Sequence, residues 1–267
     1  MAVEIDLSGH RALVTGGGQG VGRGISLMLG AAGAEVLVND LVQERTEAVA
    51  EEIIGAGGWA QPASFDVTDL GAVRDSINRL GAVDILVNNA GNAGQPSLMG
   101  SFELDLFVDT DPASWDRYIK VNFYGVMYCT HACLPGMIEA QWGRIVTIVS
   151  DASRAGDARN AVYAGAKAGA AGFTRSVATE NGRHGITANN ISLATMNSLP
   201  PGARPQLTDE QEAHMEAAMK QALKAYVVRR RGEPEDVAGM VTYLASPLAS
   251  WVTGQTIPVN GGYTMAL

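Results

Sequence analysis

Two side chains in the second half of the chain have the types and spacing of an acid–base pair. In Tyr163-Ala164-Gly165-Ala166-Lys167 a phenol and an ammonium stand at i and i+4, hence on one helix face. A phenol titrates near pH 10 and is a poor base at neutrality, whereas a neighbouring cation favours the phenolate. The expectation is a tyrosine whose pKa is lowered by Lys167 for general acid–base work. Tyr-x-x-x-Lys alone is common, so its surroundings must carry the rest. Ser150 ends a long apolar run, at the edge where open α/β sheets bind ligands, and Asn88-Asn89-Ala90-Gly91 ends another. Asn122 lies within a helical stretch, where a polar, poor helix former needs a reason.

A second constellation opens the chain. Thr15 runs into Gly16-Gly17-Gly18-Gln19-Gly20-Val21-Gly22, and a helical pattern begins there. Glycines permit a tight turn and close backbone approach, and the helix start offers N–H groups and a positive dipole end to a pyrophosphate. Its place between the first strand and first helix makes this weak motif a nucleotide-binding expectation. Asp40 ends the second strand, 24 residues after Gly16. An acid there accepts hydrogen bonds from the adenosine ribose of NAD and repels the 2′-phosphate of NADP. At ~4 Å and a dielectric near 20 that repulsion costs roughly 4 kcal/mol per unit charge. No Arg or Lys stands in the glycine loop or directly after Asp40, so NAD is the expected cofactor; helix N-capping is the plainer reading of Asp40.

The elements that must position these residues alternate. Apolar runs at Arg11–Thr15, Glu35–Asn39, Asp84–Asn88, Gly143–Ser150, Thr187–Ser192 and Thr256–Val259 read as strands covered on both faces. Helical patterns fill Gly20–Ala32, Gln43–Ala56, Leu70–Leu80, Trp115–Gln141, Tyr163–Arg183, Thr208–Lys224 and Pro234–Ala245. Thr208 with Gln211 reads as a capping box, and Pro234-Glu235-Asp236 as a favoured first turn. Strand–helix alternation implies a parallel sheet with right-handed crossovers, and one doubly wound α/β domain accounts for residues 1–267.

Composition narrows the classes. A net charge of −9, with Arg229-Arg230-Arg231 the one basic cluster, argues against a nucleic-acid partner. Two cysteines, Cys129 and Cys133, make no disulfide framework. With His131 they tempt a metal reading, but 131 leaves their helix face, so packing is expected and no metal. The acidic N-terminus lacks signal-peptide features and no apolar run reaches membrane-spanning length, so a soluble cytoplasmic chain without a membrane partner is expected.

Together these motifs resemble the short-chain dehydrogenase/reductase family, in its compact single-domain branch, over essentially the whole length. Thr15–Gly22 is similar to the family's cofactor loop, Asp66-Val67 to its adenine-contacting pair, and Asn88–Gly91 to its Asn-Asn-Ala-Gly motif. Asn122, Ser150, Tyr163 and Lys167 match its catalytic tetrad, with the tyrosine thirteen residues after the serine. The resemblance implies a three-layer Rossmann fold with a mostly parallel seven-stranded sheet and helices on both faces. It implies that Tyr163 exchanges a proton with a secondary alcohol or ketone while Ser150 holds the substrate oxygen. Lys167 then binds the nicotinamide ribose and Asn122 holds a relay water. Gly16, Gln19, Gly20, Val21, Gly22, Asp40, Asp66, Val67, Asn89, Ala90, Gly91, Met196 and Ser198 join Tyr163 and Lys167 in lining the cofactor. A homotetramer is implied too, for which the small residues Ala164, Gly165, Ala168, Gly169, Ala170, Ala171 and Gly172 allow close helix approach.

Four positions depart from the family pattern. Leu193-Ala194 replaces the usual Pro-Gly, so the turn there must differ. An insertion at 94–105 is expected beside the substrate entrance. Asp151 follows the serine where a small or neutral residue is usual; such a carboxylate can bind a substrate hydroxyl or cation, but a solvated loop acid is expected. Asn260 stands where Asp is frequent and is expected to be neutral. Residues 196–226 are expected to form a substrate lid, with Met215, Met219, Leu223 and Tyr226 at helical spacing, a stripe that ordinary core also explains. Arg229–Arg231 are expected to cap a helix end or bind carboxylates. The leading reading is NAD-dependent interconversion of an apolar secondary alcohol and its ketone. A 3-oxoacyl thioester reductase using NADPH, or a non-catalytic nucleotide sensor, stand as alternatives.

Overall fold

The computed structural model describes residues 4–91, 105–197, 208 and 217–265. Seven strands form one sheet: β1 Arg11–Val14, β2 Glu35–Val38, β3 Trp59–Pro62, β4 Ile85–Asn88, β5 Gly143–Ser150, β6 Ile186–Leu193 and β7 Thr256–Val259. Their spatial order is β3-β2-β1-β4-β5-β6-β7, and every neighbouring pair is parallel. The order reverses direction between β1 and β4, so their C-terminal ends flank a crevice. The fold is a three-layer, doubly wound Rossmann-like α/β fold.

Six strands coincide with the apolar runs of the sequence to within a residue. β3 does not, and for a physical reason: Trp-Ala-Gln-Pro is an exposed edge without an apolar run. Its strand character comes from pairing with β2, Glu35 against Trp59 through Val38 against Pro62. Pro62 is tolerable because an edge strand can spare a donor.

Alternate residues of the inner strands feed two cores. Ala12, Val14, Val36, Val38, Ile85 and Val87 pack on one face with α1 (Gly20–Ala31), α2 (Gln43–Gly55) and the last helix, Pro234–Ala245. Leu13, Leu37, Leu86 and Ile145 point to the other face. There α3 (Leu70–Leu80), α5 (Gly125–Ala140) and α7 (Ala161–Asn181) cover them, the short α4 (Trp115–Ile119) and α6 (Ala152–Ala155) preceding the latter two. Each of these Val, Leu and Ile side chains, fully buried, contributes roughly 1.5–3 kcal/mol. Cys129 and Cys133 belong to this second core, and burial raises the Cys129 thiol to about 12. His131 is exposed, off the helix face that buries the two cysteines.

Helix starts follow local chemistry. Asp69 accepts from Gly71 N at 2.8 Å and Ala72 N at 3.1 Å. Glu233 and Asp236 form a capping box around Pro234 at the start of α8 (Pro234–Ala245). Arg230 grips Asp236 with both terminal nitrogens, and Arg229 Nη1 donates to the Lys224 carbonyl at 2.6 Å. The basic cluster therefore serves helix ends. The expected Thr208–Lys224 helix is described as helical over 217–222. Gln211 and Met215 lie outside the described residues, as do Ser198 and 94–104 of the insertion.

Candidate functional site

The long helix expected at Trp115–Gln141 is interrupted. α4 (Trp115–Ile119) passes into a π turn, Lys120–Tyr124, before α5 begins at Gly125. The fully buried Asn122 sits in that turn, its Nδ2 donating to the Tyr118 carbonyl at 3.0 Å. This is the reason the sequence demanded for a mid-helix asparagine: a π turn re-aims one side chain.

Asn122 reaches the end of β4. A Cβ built on Gly91 would lie 3.0 Å from Asn122 Oδ1 and 3.1 Å from Lys167 Nζ, so both groups converge on that glycine. Lys167 Nζ donates to the Ile148 carbonyl of β5 at 2.9 Å. From the same strand, Ser150 comes beside the Tyr163 phenol and acts to lower its pKa, and the Lys167 nitrogen lies 6.0 Å from the Tyr163 ring centroid. Elements far apart in sequence thus bring Asn122, Ser150, Tyr163 and Lys167 to one edge of the sheet.

One expectation is corrected here. The Tyr163 phenol stands above its ordinary value, not below it: burial raises it, the Ser150 hydrogen bond only partly offsets this, and Asp157 adds to the rise. Burial likewise pulls the Lys167 ammonium down to about 8. Desolvation opposes both charged forms and outweighs the attraction expected from the i, i+4 spacing.

At the other side of the crevice, Asn89 braces the glycine loop. Its Nδ2 donates to the carbonyls of Thr15 (2.9 Å) and Gly16 (3.1 Å). The backbone N–H groups of Asn89 and Ala90 both donate to Thr15 Oγ1 at 3.0 Å. Gly16 has φ +61°, and a Cβ on Gly22 would fall 2.0 Å from the Gly16 carbonyl oxygen. No side chain caps α1 at Gln19, and its first turn holds no acid. Gly20 and Val21 open α1 beside Gly22, leaving a cradle walled by backbone. The Asp40 carboxylate abuts the loop, 2.9 Å from where a Gly18 Cβ would be. It accepts from Val42 N at 3.1 Å, and Arg45 of α2 comes to 3.8 Å from it. The linear sequence hid this cation because one helical turn separates it from Asp40. Asp66 is exposed and turns Thr68 back on itself at 2.8 Å, while Val67 is buried. Met196 pairs with Gly232 in a single parallel bridge. These residues fit a dinucleotide, with the pyrophosphate at the loop and the adenosine ribose at Asp40.

Two further expectations fail. Asp151 is 1 % exposed rather than solvated, and Asn260 is not neutral but donates to it at 2.6 Å. A loop acid is usually wet, but this one is enclosed by the chain end. Leu193, in place of the family's proline, prolongs β6 to pair opposite Ser150, and its carbonyl accepts from Asp151 N at 2.9 Å. Tyr226, from the expected lid stripe, is buried, and its hydroxyl accepts from Thr195 N at 3.1 Å.

Beside Tyr163 a cleft of about 290 Å³ opens between the start of α4 and the segment leading into α7. Phe107, Trp115, Tyr118 and Val162 line it, with Arg117 and Arg159 among its polar groups. The Phe107 and Trp115 rings stack with centroids 5.2 Å apart.

Comparisons with known proteins bear on this arrangement. A family model described as enoyl-(acyl carrier protein) reductase matches residues 16–264. The 3-oxoacyl-[acyl-carrier-protein] reductase FabG of Chlamydia pneumoniae is 35 % identical over 267 residues, covering 98 % of this chain and 100 % of that protein. The 7alpha-hydroxysteroid dehydrogenase of Escherichia coli strain K12 is 33 % identical, covering 96 % and 94 %. A crystal structure of a 3-oxoacyl-[acyl-carrier protein] reductase with bound NAD from Brucella melitensis superposes with a TM-score of 0.86 at 30 % identity, covering 98 % and 94 %.

Proposed function

Because the chain belongs to the short-chain dehydrogenase/reductase family and is an oxidoreductase, we propose that it interconverts a secondary alcohol and a ketone with NAD. The observation that carries this reading is the meeting of Ser150 and Tyr163 at one sheet edge with Lys167 and Asn122 converging beside them. A substrate oxygen meeting Ser150 and Tyr163 takes hydrogen bonds from both. Tyr163, a phenol whose pKa burial raises further, delivers its proton as negative charge develops on that oxygen. Lys167, lowered to about 8, exchanges protons near neutrality and sits against Asn122 at Gly91, a route for returning the proton. When bound, the nicotinamide supplies the hydride. Gly16–Gly22, Asn89, Ala90, Gly91, Asp66, Val67 and Met196 would hold the dinucleotide as a whole; Ser198, expected with them, lies outside the described residues. The aromatic cleft suits a small, mostly apolar, ring-bearing substrate.

Asp40 supports NAD over NADP. The chain works as one catalytic domain in a cytoplasmic homotetramer. Gly165 and Ala168, exposed on α7, are the small residues available for helix contact; Ala170 and Ala171 are spent within the chain's own core.

Reduction of a 3-oxoacyl thioester with NADPH is the second reading, favoured by Arg45 lying 3.8 Å from Asp40, where a 2′-phosphate needs a cation. The test is turnover of a panel of secondary alcohols and ketones, with acetoacetyl-CoA included, followed by absorbance of NADH and NADPH in parallel. A preference for NADH on a simple ketone, abolished in Tyr163→Phe, is the expected result. A tenfold preference for NADPH on the thioester hands the assignment to the second reading. Full activity of Tyr163→Phe removes the mechanism altogether.

A further inference from the structure

The residue after Ser150 is the most heavily bonded carboxylate among the described residues. Asp151 accepts from the Ser192 hydroxyl of β6, from Asn260 Nδ2 at 2.6 Å, from Thr264 Oγ1 at 2.9 Å and from Arg154 Nη1 at 3.5 Å. Its main chain is held as well. Asp151 N donates to the Leu193 carbonyl, and Arg154 N and Ala155 N donate to the Asp151 carbonyl, all at 2.9 Å. An ionised carboxylate is retained in a protein interior only when such donors replace its water. Here three of its four side-chain partners come from β6 and from the chain end, more than forty residues away.

The chain end is shaped around that carboxylate. Asn260 Nδ2 also donates to the Thr264 carbonyl at 2.8 Å, and Gly262 N donates back to Asn260 Oδ1 at 3.0 Å. Gly261 and Gly262, at φ +60° and +77°, let the segment turn this tightly. The turn delivers Tyr263, whose ring stacks on Tyr226 at 5.2 Å while remaining 45 % exposed. Asp157, in the segment leading into α7, acts electrostatically on both Tyr263 and Tyr163. Tyr263 also directly precedes Thr264, whose hydroxyl is bonded to Asp151, the chain neighbour of Ser150.

We propose that Asp151 is a positioning residue that clamps the Ser150 end of β5 to residues 260–264, making Tyr263 a wall of the substrate site. Substrate contacts the exposed Tyr263 ring, whose apolar face and phenol suit a ring or acyl chain carrying a polar group. The clamp rests on the dehydrogenase reading only for its effect on turnover; its structural half stands without it.

The experiment compares wild type with Asp151→Asn, Thr264→Val and Tyr263→Ala, using amide hydrogen exchange and NADH-dependent reduction of ethyl acetoacetate. Asp151→Asn sets a second donor against Ser192, Asn260 and Thr264. It should raise exchange at 150–155 and 260–265 together by at least tenfold, with the β1 and β4 amides unchanged. Its kcat should fall tenfold or more while the KM for NADH stays within twofold, a split that general loosening does not produce. Tyr263→Ala should raise the KM for ethyl acetoacetate at least fivefold with kcat within twofold. Thr264→Val, which removes a single donor, should show the exchange effect at smaller amplitude even if Asp151→Asn does not fold. Unchanged exchange at 260–265 in Thr264→Val, or exchange rising uniformly over the chain, overturns the clamp. If ethyl acetoacetate is not reduced by wild type, the dehydrogenase reading has failed for this ketone, and the exchange data still decide the clamp.

Discussion

Around Gly16–Gly22 the crevice is held by main chain. Around Ser150 it is held by buried side chains. At the first wall, Asn89 ties the carbonyls of Thr15 and Gly16, and the space for a ligand exists because no Cβ fills it. At the second, Asn122, Lys167, Asp151 and Ser192 are buried polar groups, with the Tyr163 phenol sunk beside them, and their partners come from several strands and helices. A backbone cradle tolerates little added volume but needs few specific side chains. A buried polar network tolerates volume better than the loss of one partner, because each orphaned group bears its full desolvation penalty.

The largest effect expected from this contrast is at the reaction wall. Lys167→Met should lower ketone reduction at least 10²-fold, the usual scale for losing a proton-transfer group, in a steady-state assay at pH 7. It also has a signature in stability. The folded lysine loses its proton near 8 and the unfolded one near 10.5, so the folded state binds fewer protons between those values. Wild-type stability relative to Lys167→Met should therefore rise with pH from 8 to 10.5, by on the order of 3 kcal/mol. Urea unfolding of both proteins at three pH values across that window checks the sign, and a fall would refute the buried ammonium.

At the cradle wall, Gly22→Ala places a methyl group 2.0 Å from the Gly16 oxygen. Overpacking of this kind costs about 1–3 kcal/mol, and NADH affinity, read by fluorescence titration, should weaken tenfold or more. Next in size is Asp40→Asn. Removing the charge beside Arg45 should shift the ratio of NADPH to NADH efficiency about tenfold toward NADPH, equivalent to roughly 1.4 kcal/mol; an unchanged ratio would detach Asp40 from cofactor choice. The smallest effect is expected at Gly165, where a Cβ meets nothing within 4 Å. Gly165→Ala should gain about 0.5–1 kcal/mol from helix propensity if α7 is solvent-facing there. A loss of stability together with a smaller particle by light scattering would instead show a second subunit against that glycine, as the tetramer proposal requires.

How much was readable in advance differs along the chain for the same reason. The five inner strands were legible because burial on both faces demands unbroken apolar runs, and the edge strand β7 because its half-buried Thr-Ile-Pro-Val is still mostly apolar. The glycine loop was legible because its job is steric and local. Asn122 was legible only as an anomaly: its composition conflicted with its helix, and the π turn resolves the conflict. β3 was not legible, since an exposed edge strand owes its conformation to its neighbour. Asp151 and Asn260 were misjudged because a carboxylate's environment depends on what folds over it. Here that is a segment more than a hundred residues distant.

Sequence alone determined the order of six strands and of the helices between them, the covered sheet and the residues that meet at its edge, because periodicity and glycine placement act over a few residues. Tertiary structure alone decided the charge environments. It raised the phenol that spacing said would fall, set Arg45 beside Asp40, and closed the chain end over Asp151. Solvation and Coulomb forces depend on distance through space, which separation along the chain does not reveal.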